Sequence, residues 1–258
     1  MNSVFLNTIL ELTHIRFLIN SSGKIKKGNS LNFNWGIIWD SLKPLIMVAG
    51  LATLFSLGIR GQGRELEYLV FLIMFWFSFS SMVTPIGRQD VQPFIKNKKF
   101  VNSWSITFSI FFHQLVPFFI RFLICLFVMT LFDYKLPIYE LFWCFILLSI
   151  FGLSYGSLIS AIFRDNNFFH EAHTFFLAAL FFLSSVIFPV PSMPEAIRDI
   201  LLYNPLVHLF EWVKSPVTGI VYEYINLNYF LNSLFSLCIF CPISIQIRQI
   251  FSQKNEQN

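Results

Sequence analysis

Residues 108–132 read FSIFFHQLVPFFIRFLICLFVMTLF, and this stretch decides the class of the protein. Its single formal charge is Arg121. A helix needs about 20 mainly apolar residues to cross a hydrocarbon core roughly 30 Å thick, and this run is long enough. An open strand in lipid would leave its N–H and C=O groups unpaired, so helix is the state available to it. Outward from it, five more apolar stretches run over Pro44 to Ile59, Leu66 to Val83, Ile138 to Phe163, Phe175 to Pro189 and Tyr229 to Ile247. The first and fifth are short for a crossing; the first is expected to borrow from Trp35 to Lys43, and the fifth to continue into the proline-rich segment behind it. With 55% hydrophobic and 12% charged residues, the 258-residue chain has too little polar surface for a water-soluble globule. The expectation is an all-α membrane protein, one transmembrane domain over 1–258 with about six spanning helices.

Lysine and arginine set the orientation. With the N-terminus inside, inner segments hold Arg16, Lys24, Lys26, Lys27, Lys43, Arg88, Lys96, Lys98, Lys99, Arg164, Arg248 and Lys254, and outer segments only Arg60, Arg64, Lys135, Arg198 and Lys214. That bias predicts both termini in the cytoplasm. No cleaved signal peptide is expected, because the first dozen residues lack the ordered basic, apolar and small-residue segments of one. The net charge of +4 is modest and clusters near helix ends, which suits topology better than nucleic acid as a partner.

Three non-spanning regions carry further information. Within the leader 1–34, Phe5, Ile9, Leu12 and Arg16 have helical spacing, which predicts an amphipathic helix along the inner surface; a disordered leader is the alternative. The segment 87–103, GRQDVQPFIKNKKFVNS, joins spans two and three, too polar to insert and too long for a minimal turn, so a docking role is expected. The outer segment 190–228 contains IRDILLYNPLVHLFEWV, two amphipathic runs broken at Asn204-Pro205. It predicts a re-entrant helical hairpin before the last span, with plain surface loops as the alternative.

Chemistry is mostly absent. The nearest approach to a nucleotide-binding loop, GKIKKGNS at Gly23 to Ser30, has Asn29 where the phosphate-binding lysine must stand. His170, Glu171 and His173 give H-E-x-H, not the zinc-protease spacing, and are read as a solvated cytoplasmic loop. Cys125, Cys144, Cys238 and Cys241 sit in apolar runs and read as small hydrophobes, although the last two form C-x-x-C. No catalytic residues, metal site or bound cofactor are expected, and the apolar spans hold almost no acids for a proton relay. Arg121 alone breaks the pattern. Some 16 Å from Phe132 along a helix, it lies too deep to snorkel outward. Burying it costs about 2.5–3.5 kcal/mol on insertion scales, so it must face a protein-lined cavity or a partner. It either meets an anionic substrate group or clamps onto carbonyls and polar groups of another helix.

The stretch FPVPSMPEAIRDILLYNPLVHLFE, Phe188 to Glu211, resembles the permease subunits of polysaccharide-exporting ABC transporters, most closely those of bacterial capsule export. Asn204, Pro205, Leu206, His208 and Glu211 stand in the family's N-P-L-x-H-x-x-E pattern, and Trp35, Trp39 and Pro44 resemble its entry to span one. Lys43 departs from it, occupying a position where the family commonly has an acid, and SLNFNW replaces a more typical R-L-G-Y-L-W.

The resemblance implies a homodimeric permease in the bacterial inner membrane, bound to two ATP-binding subunits that hold the ATP and Mg. It further implies that the 87–103 loop docks on them through Phe94, Lys96, Lys98, Lys99 and Phe100. Positive-inside topology alone would also explain those lysines. The implied cargo is a lipid-linked capsular polysaccharide, passed towards periplasmic and outer-membrane export proteins. Candidates along its path are Arg121, Tyr155, Tyr203 and Trp212, and candidates for an outer gate are Asn204, Pro205, His208 and Glu211. Export of O-antigen or teichoic acid, or a non-transport scaffold for glycan assembly, are the alternatives.

Overall fold

The computed structural model describes residues 42–50, 53, 65–88, 103–131, 137–163, 167–187, 190, 193–218 and 223–255. The leader 1–34 and the docking candidates Phe94, Lys96, Lys98, Lys99 and Phe100 lie outside them. Every regular element among the described residues is helical. In chain order these are α1 (42–50), α2 (Glu65–Arg88), α3 (Ser103–Leu131), α4 (Ile138–Phe163), α5 (Asn167–Phe182), α6 (Glu195–Leu201), α7 (Pro205–Thr218) and α8 (Leu227–Asn255).

Four of these, α2, α3, α4 and α8, are long and apolar enough to cross a membrane. The expected fifth span departs from its predicted limits. It starts at Asn167 rather than Phe175 and ends at Phe182, and its 16 residues are fewer than a full crossing requires. The H-E-x-H segment is therefore helical, not a solvated loop, and His170 and His173 are buried. The sequence misled because two histidines and a glutamate look like water-facing residues, whereas here the imidazoles turn inward among aromatic rings. Behind α5, the break expected at Asn204-Pro205 is where α6 gives way to α7.

α2 is the axis of the bundle. Its spanning window is 72% buried, against 28% for α3 and 22% for α8, and it packs against α3, α4, α5 and α7. Close approach of α2 and α4 depends on small residues. A Cβ on Gly156 would sit 2.9 Å from Ile86 and 3.2 Å from the Val83 carbonyl oxygen; one on Gly87 would meet Ile159 at 3.0 Å. Gly152 and Gly156 thus form a G-x-x-x-G face that lets two backbones approach, the attraction coming from packing because lipid tails are as apolar as the side chains.

Phenylalanine fills the remaining volume. Phe118 and Phe145 approach to 4.5 Å between ring centroids, joining α3 to α4, and Phe151 stacks on Phe230 to join α4 to α8. Trp76 of α2 touches Phe181 of α5 and Phe210 of α7. Hydroxyls within this core bond back along their own helices, as Ser149 does to the Phe145 carbonyl and Ser157 to that of Leu153, so little polarity meets the apolar surroundings. On the outer face of α3, Phe112, Val116, Phe119, Leu123 and Phe127 are exposed at helical spacing. In water that stripe would be a liability; against lipid it is the expected surface.

Candidate functional site

Two polar constellations interrupt the apolar bundle. The first surrounds Arg121, which is 4% exposed and reaches from α3 across to α2. Its Nη1 donates to the Ser81 hydroxyl at 2.8 Å, to the Phe77 carbonyl at 3.3 Å and towards the Ser78 hydroxyl at 3.4 Å. Ser81 and Ser78 pass their own protons to the carbonyls of Ser78 and Met74, leaving their oxygens turned to accept from the guanidinium. Bonds of a charged donor are worth about 1.5–3 kcal/mol each, enough to offset the insertion cost of the side chain.

Arg121 also lines a cavity of about 410 Å³ between α1, α2 and α3. Ser80, Ser81 and Thr84 border it from α2, His113 and Gln114 from α3, and Lys43 from α1. Of the two sequence alternatives for Arg121, an anionic substrate contact or a clamp onto another helix, the bonds to α2 show the clamp, and the same side chain borders the cavity.

The second constellation fastens α7 to its neighbours. Asn204 caps α7 through Oδ1, which accepts the Leu206 N–H, while its amide nitrogen donates to the Leu183 carbonyl and the Ser184 hydroxyl. One turn on, His208 bonds the Leu202 carbonyl through Nε2 and accepts the Asn226 N–H at Nδ1. A carbonyl can only accept and a backbone N–H only donate, so the ring is the neutral Nε2–H tautomer. A further turn on, the Glu211 carboxylate accepts the Val190 N–H and pairs with Lys214 at 2.8 Å, both side chains 2% exposed. Lys214 also donates to the Ser185 carbonyl. Ser185 is held at φ 55°, the left-handed region that a side chain disfavours.

Asn204, Glu211 and Lys214 all grip the connection after α5, and His208 grips the turn into α8. The motif residues read as gate candidates are brought together as one internal latch. Lys214 was taken in the sequence for an ordinary outer lysine; its position one turn after Glu211, with Asn204 and His208 on the same helical face, is the signal that could have revealed it.

The other path candidates are not gathered at Arg121. Tyr155 of α4 lies half-buried, its hydroxyl 3.2 Å from His173 Nε2 and its ring stacked on Phe79 and Phe151. Trp212 is half-buried against the main core, whereas Tyr203 projects from the α6–α7 turn, 78% exposed, with its carbonyl accepting the Tyr229 hydroxyl. No cluster of three or more His, Cys, Asp or Glu residues suited to a metal ion occurs among the described residues.

Comparison with known proteins adds two findings. The profile of a family described as ABC-2 type transporter matches residues 29–216, covering the cavity and most of the latch. Two proteins of Escherichia coli, each named polysialic acid transport protein KpsM, are 41% identical to this chain over 54 residues. That stretch is 20% of this chain and 21% of theirs, so the likeness spans about a fifth of the curated relatives it matches.

Proposed function

Since this chain belongs to the ABC-2 type transporter family, we propose that it is the membrane-spanning subunit of an exporter that moves a lipid-linked polysaccharide across the bacterial inner membrane. The observation that carries the transport reading is the polar cavity around Arg121, set among long apolar helices. A charge at such depth is costly, and bundles generally keep one where it faces the interior, pairs with other polar groups or lines a pathway. Partial identity to two polysialic acid transport proteins supports an anionic polysaccharide, of the capsular kind, as cargo.

On this reading the work comes from outside the chain. A separate ATP-binding subunit hydrolyses the nucleotide, and residues 87–103, which link two spans and carry Lys96, Lys98 and Lys99, form its docking loop. Both termini face the cytoplasm, two copies pair around the path, and α6 with α7 forms a hairpin that enters and leaves the outer leaflet. The latch from Asn204 to Lys214 makes that hairpin move as one body with the end of α5. Gating at this end would then be a rigid-body tilt, since interfaces of this kind switch between packed states.

A deletion strain tests the proposal. Polysaccharide should accumulate inside the cell, with little at the surface, and a plasmid copy of the chain should restore display. Normal surface polysaccharide without the chain would refute it.

A further inference from the structure

The C-x-x-C of α8 takes no part in the export reading, yet its two thiols meet the same polar group. Cys238 Sγ lies 3.5 Å from the Ser154 hydroxyl of α4, and the Cys241 thiol hydrogen-bonds with Ser157 and Ser154. Ser154 therefore touches both sulfurs. Ser157 gives its own proton to the Leu153 carbonyl, which leaves its oxygen to accept from a thiol. Both cysteines are free and half-buried, whereas the two serines are buried.

Pro242 follows directly, inside the helix. It has no N–H for the Cys238 carbonyl four residues back, and its ring crowds that oxygen, so the turn that carries both sulfurs is released from the regular ladder. Cβ atoms three residues apart on a helix are about 5–6 Å from one another. With metal–sulfur bonds of about 2.3 Å, as in zinc thiolates, an ion held in line needs its two sulfurs roughly 4.6 Å apart, which such a pair can reach. An ion that demands four ligands is not served, because no group of three or more His, Cys, Asp or Glu residues gathers among the described residues. Thiolates select soft ions. Charge narrows the class further: two thiolates cancel a divalent ion, and apolar surroundings favour the neutral product.

We propose that Cys238 and Cys241 form a binding site for a soft divalent cation that takes two ligands in line, of the mercury(II) class. The neutral dichloride delivers the ion from the lipid-facing side, where Ile239 and Phe240 are exposed. Two metal–sulfur bonds form, two metal–chloride bonds break, and each thiol proton leaves with a chloride as HCl; no electron is transferred. The bound ion spans the turn that Pro242 loosens. The site stands apart from the export reading and is tested without transport.

The full-length chain in detergent is treated with one equivalent of mercury(II) chloride and weighed by native mass spectrometry. One ion per chain is expected, with no chloride retained and two protons lost. Cys238→Ser and Cys241→Ser should each weaken binding about hundredfold, because the second thiolate no longer arrives from the same chain. Zinc chloride at the same concentration should leave the chain bare, since zinc seeks four ligands. Should a serine variant fail to fold, Cys238→Ala and Cys241→Ala carry the same comparison.

Cys125 and Cys144 are the rival pair. They too lie near each other, but at 1% and 0% exposed they are reached only by unpacking the core. The double substitution Cys125→Ala with Cys144→Ala should therefore leave binding intact. Chloride retained on the wild-type chain, full affinity after either substitution in α8, zinc bound as tightly as mercury, or binding lost in a folded Cys125→Ala, Cys144→Ala chain overturns the proposal.

Discussion

Removing one partner of the Glu211–Lys214 pair is the sharpest test of the latch. Each side chain is 2% exposed, and their 2.8 Å contact is bracketed by the Val190 N–H on the carboxylate and the Ser185 carbonyl on the ammonium. In Glu211→Gln the ammonium keeps its carbonyl but loses its counter-charge; in Lys214→Met the carboxylate keeps only the weaker backbone donor of that pair of contacts. Breaking a buried pair from one side typically costs about 3–5 kcal/mol. For a chain of this size each 1 kcal/mol lowers the unfolding midpoint by about 2–4 °C, so either single substitution should lower it by about 6–20 °C.

The double substitution removes both charges together and should recover most of that loss, because nothing charged is then left unpaired. Unfolding in detergent can be followed with a thiol-reactive fluorophore, since Cys125 and Cys144 are buried and free in the folded chain. Single substitutions that shift the midpoint by no more than about 1 °C, against the scale above, would refute the reasoning. A double substitution that costs the sum of the singles would refute it as well.

Three further outcomes follow from contacts elsewhere. Gly156→Ala should destabilise by about 1–3 kcal/mol, because its Cβ would meet Ile86 and a backbone oxygen, and it should cost more than Gly152→Ala, which faces only the pliant Met82; equal midpoints would contradict the G-x-x-x-G packing. Asn204→Ala removes a helix cap and two bonds to the end of α5, so a loss of about 1–3 kcal/mol is expected, with earlier proteolysis of the 183–190 connection as an independent readout. Ser185→Gly should raise the midpoint, by up to about 1 kcal/mol of added stability. Glycine accepts the left-handed backbone without penalty, and the substitution removes a buried hydroxyl that has no partner among the described residues.

What the sequence made legible was whatever depends on composition along one helix. Residues 108–132 declare a span because lipid demands an unbroken apolar run, and Asn204-Pro205 declares a break because proline cannot continue the helix before it. Arg121 declares itself by cost alone. What stayed hidden depends on which residues meet across helices. Gly152 and Gly156 spell a packing motif, but only the neighbouring Ile86 and Val83 show that it joins α2 to α4 within this chain. His170 and His173 were read as loop residues because polarity was weighed without the aromatic pocket that accepts them. Lys214 could be counted as an outer charge, yet its partner Ser185 is 29 residues away and offers a carbonyl, which no side-chain pattern encodes. The cavity is a product of three helices: Arg121 pointed to a polar surrounding, but the residues of α1 and α2 that line it with Arg121 have no signature in their own runs.

Reconstitution tests the central claim most directly. The chain is placed in proteoliposomes with and without its ATP-binding subunit, and a labelled lipid-linked polysaccharide is followed from the outer face into the lumen. The account predicts ATP-dependent uptake when both subunits are present and none with either alone. Uptake of the polymer by this chain without the second subunit, or no uptake by the complete pair while the partner hydrolyses ATP, would contradict it.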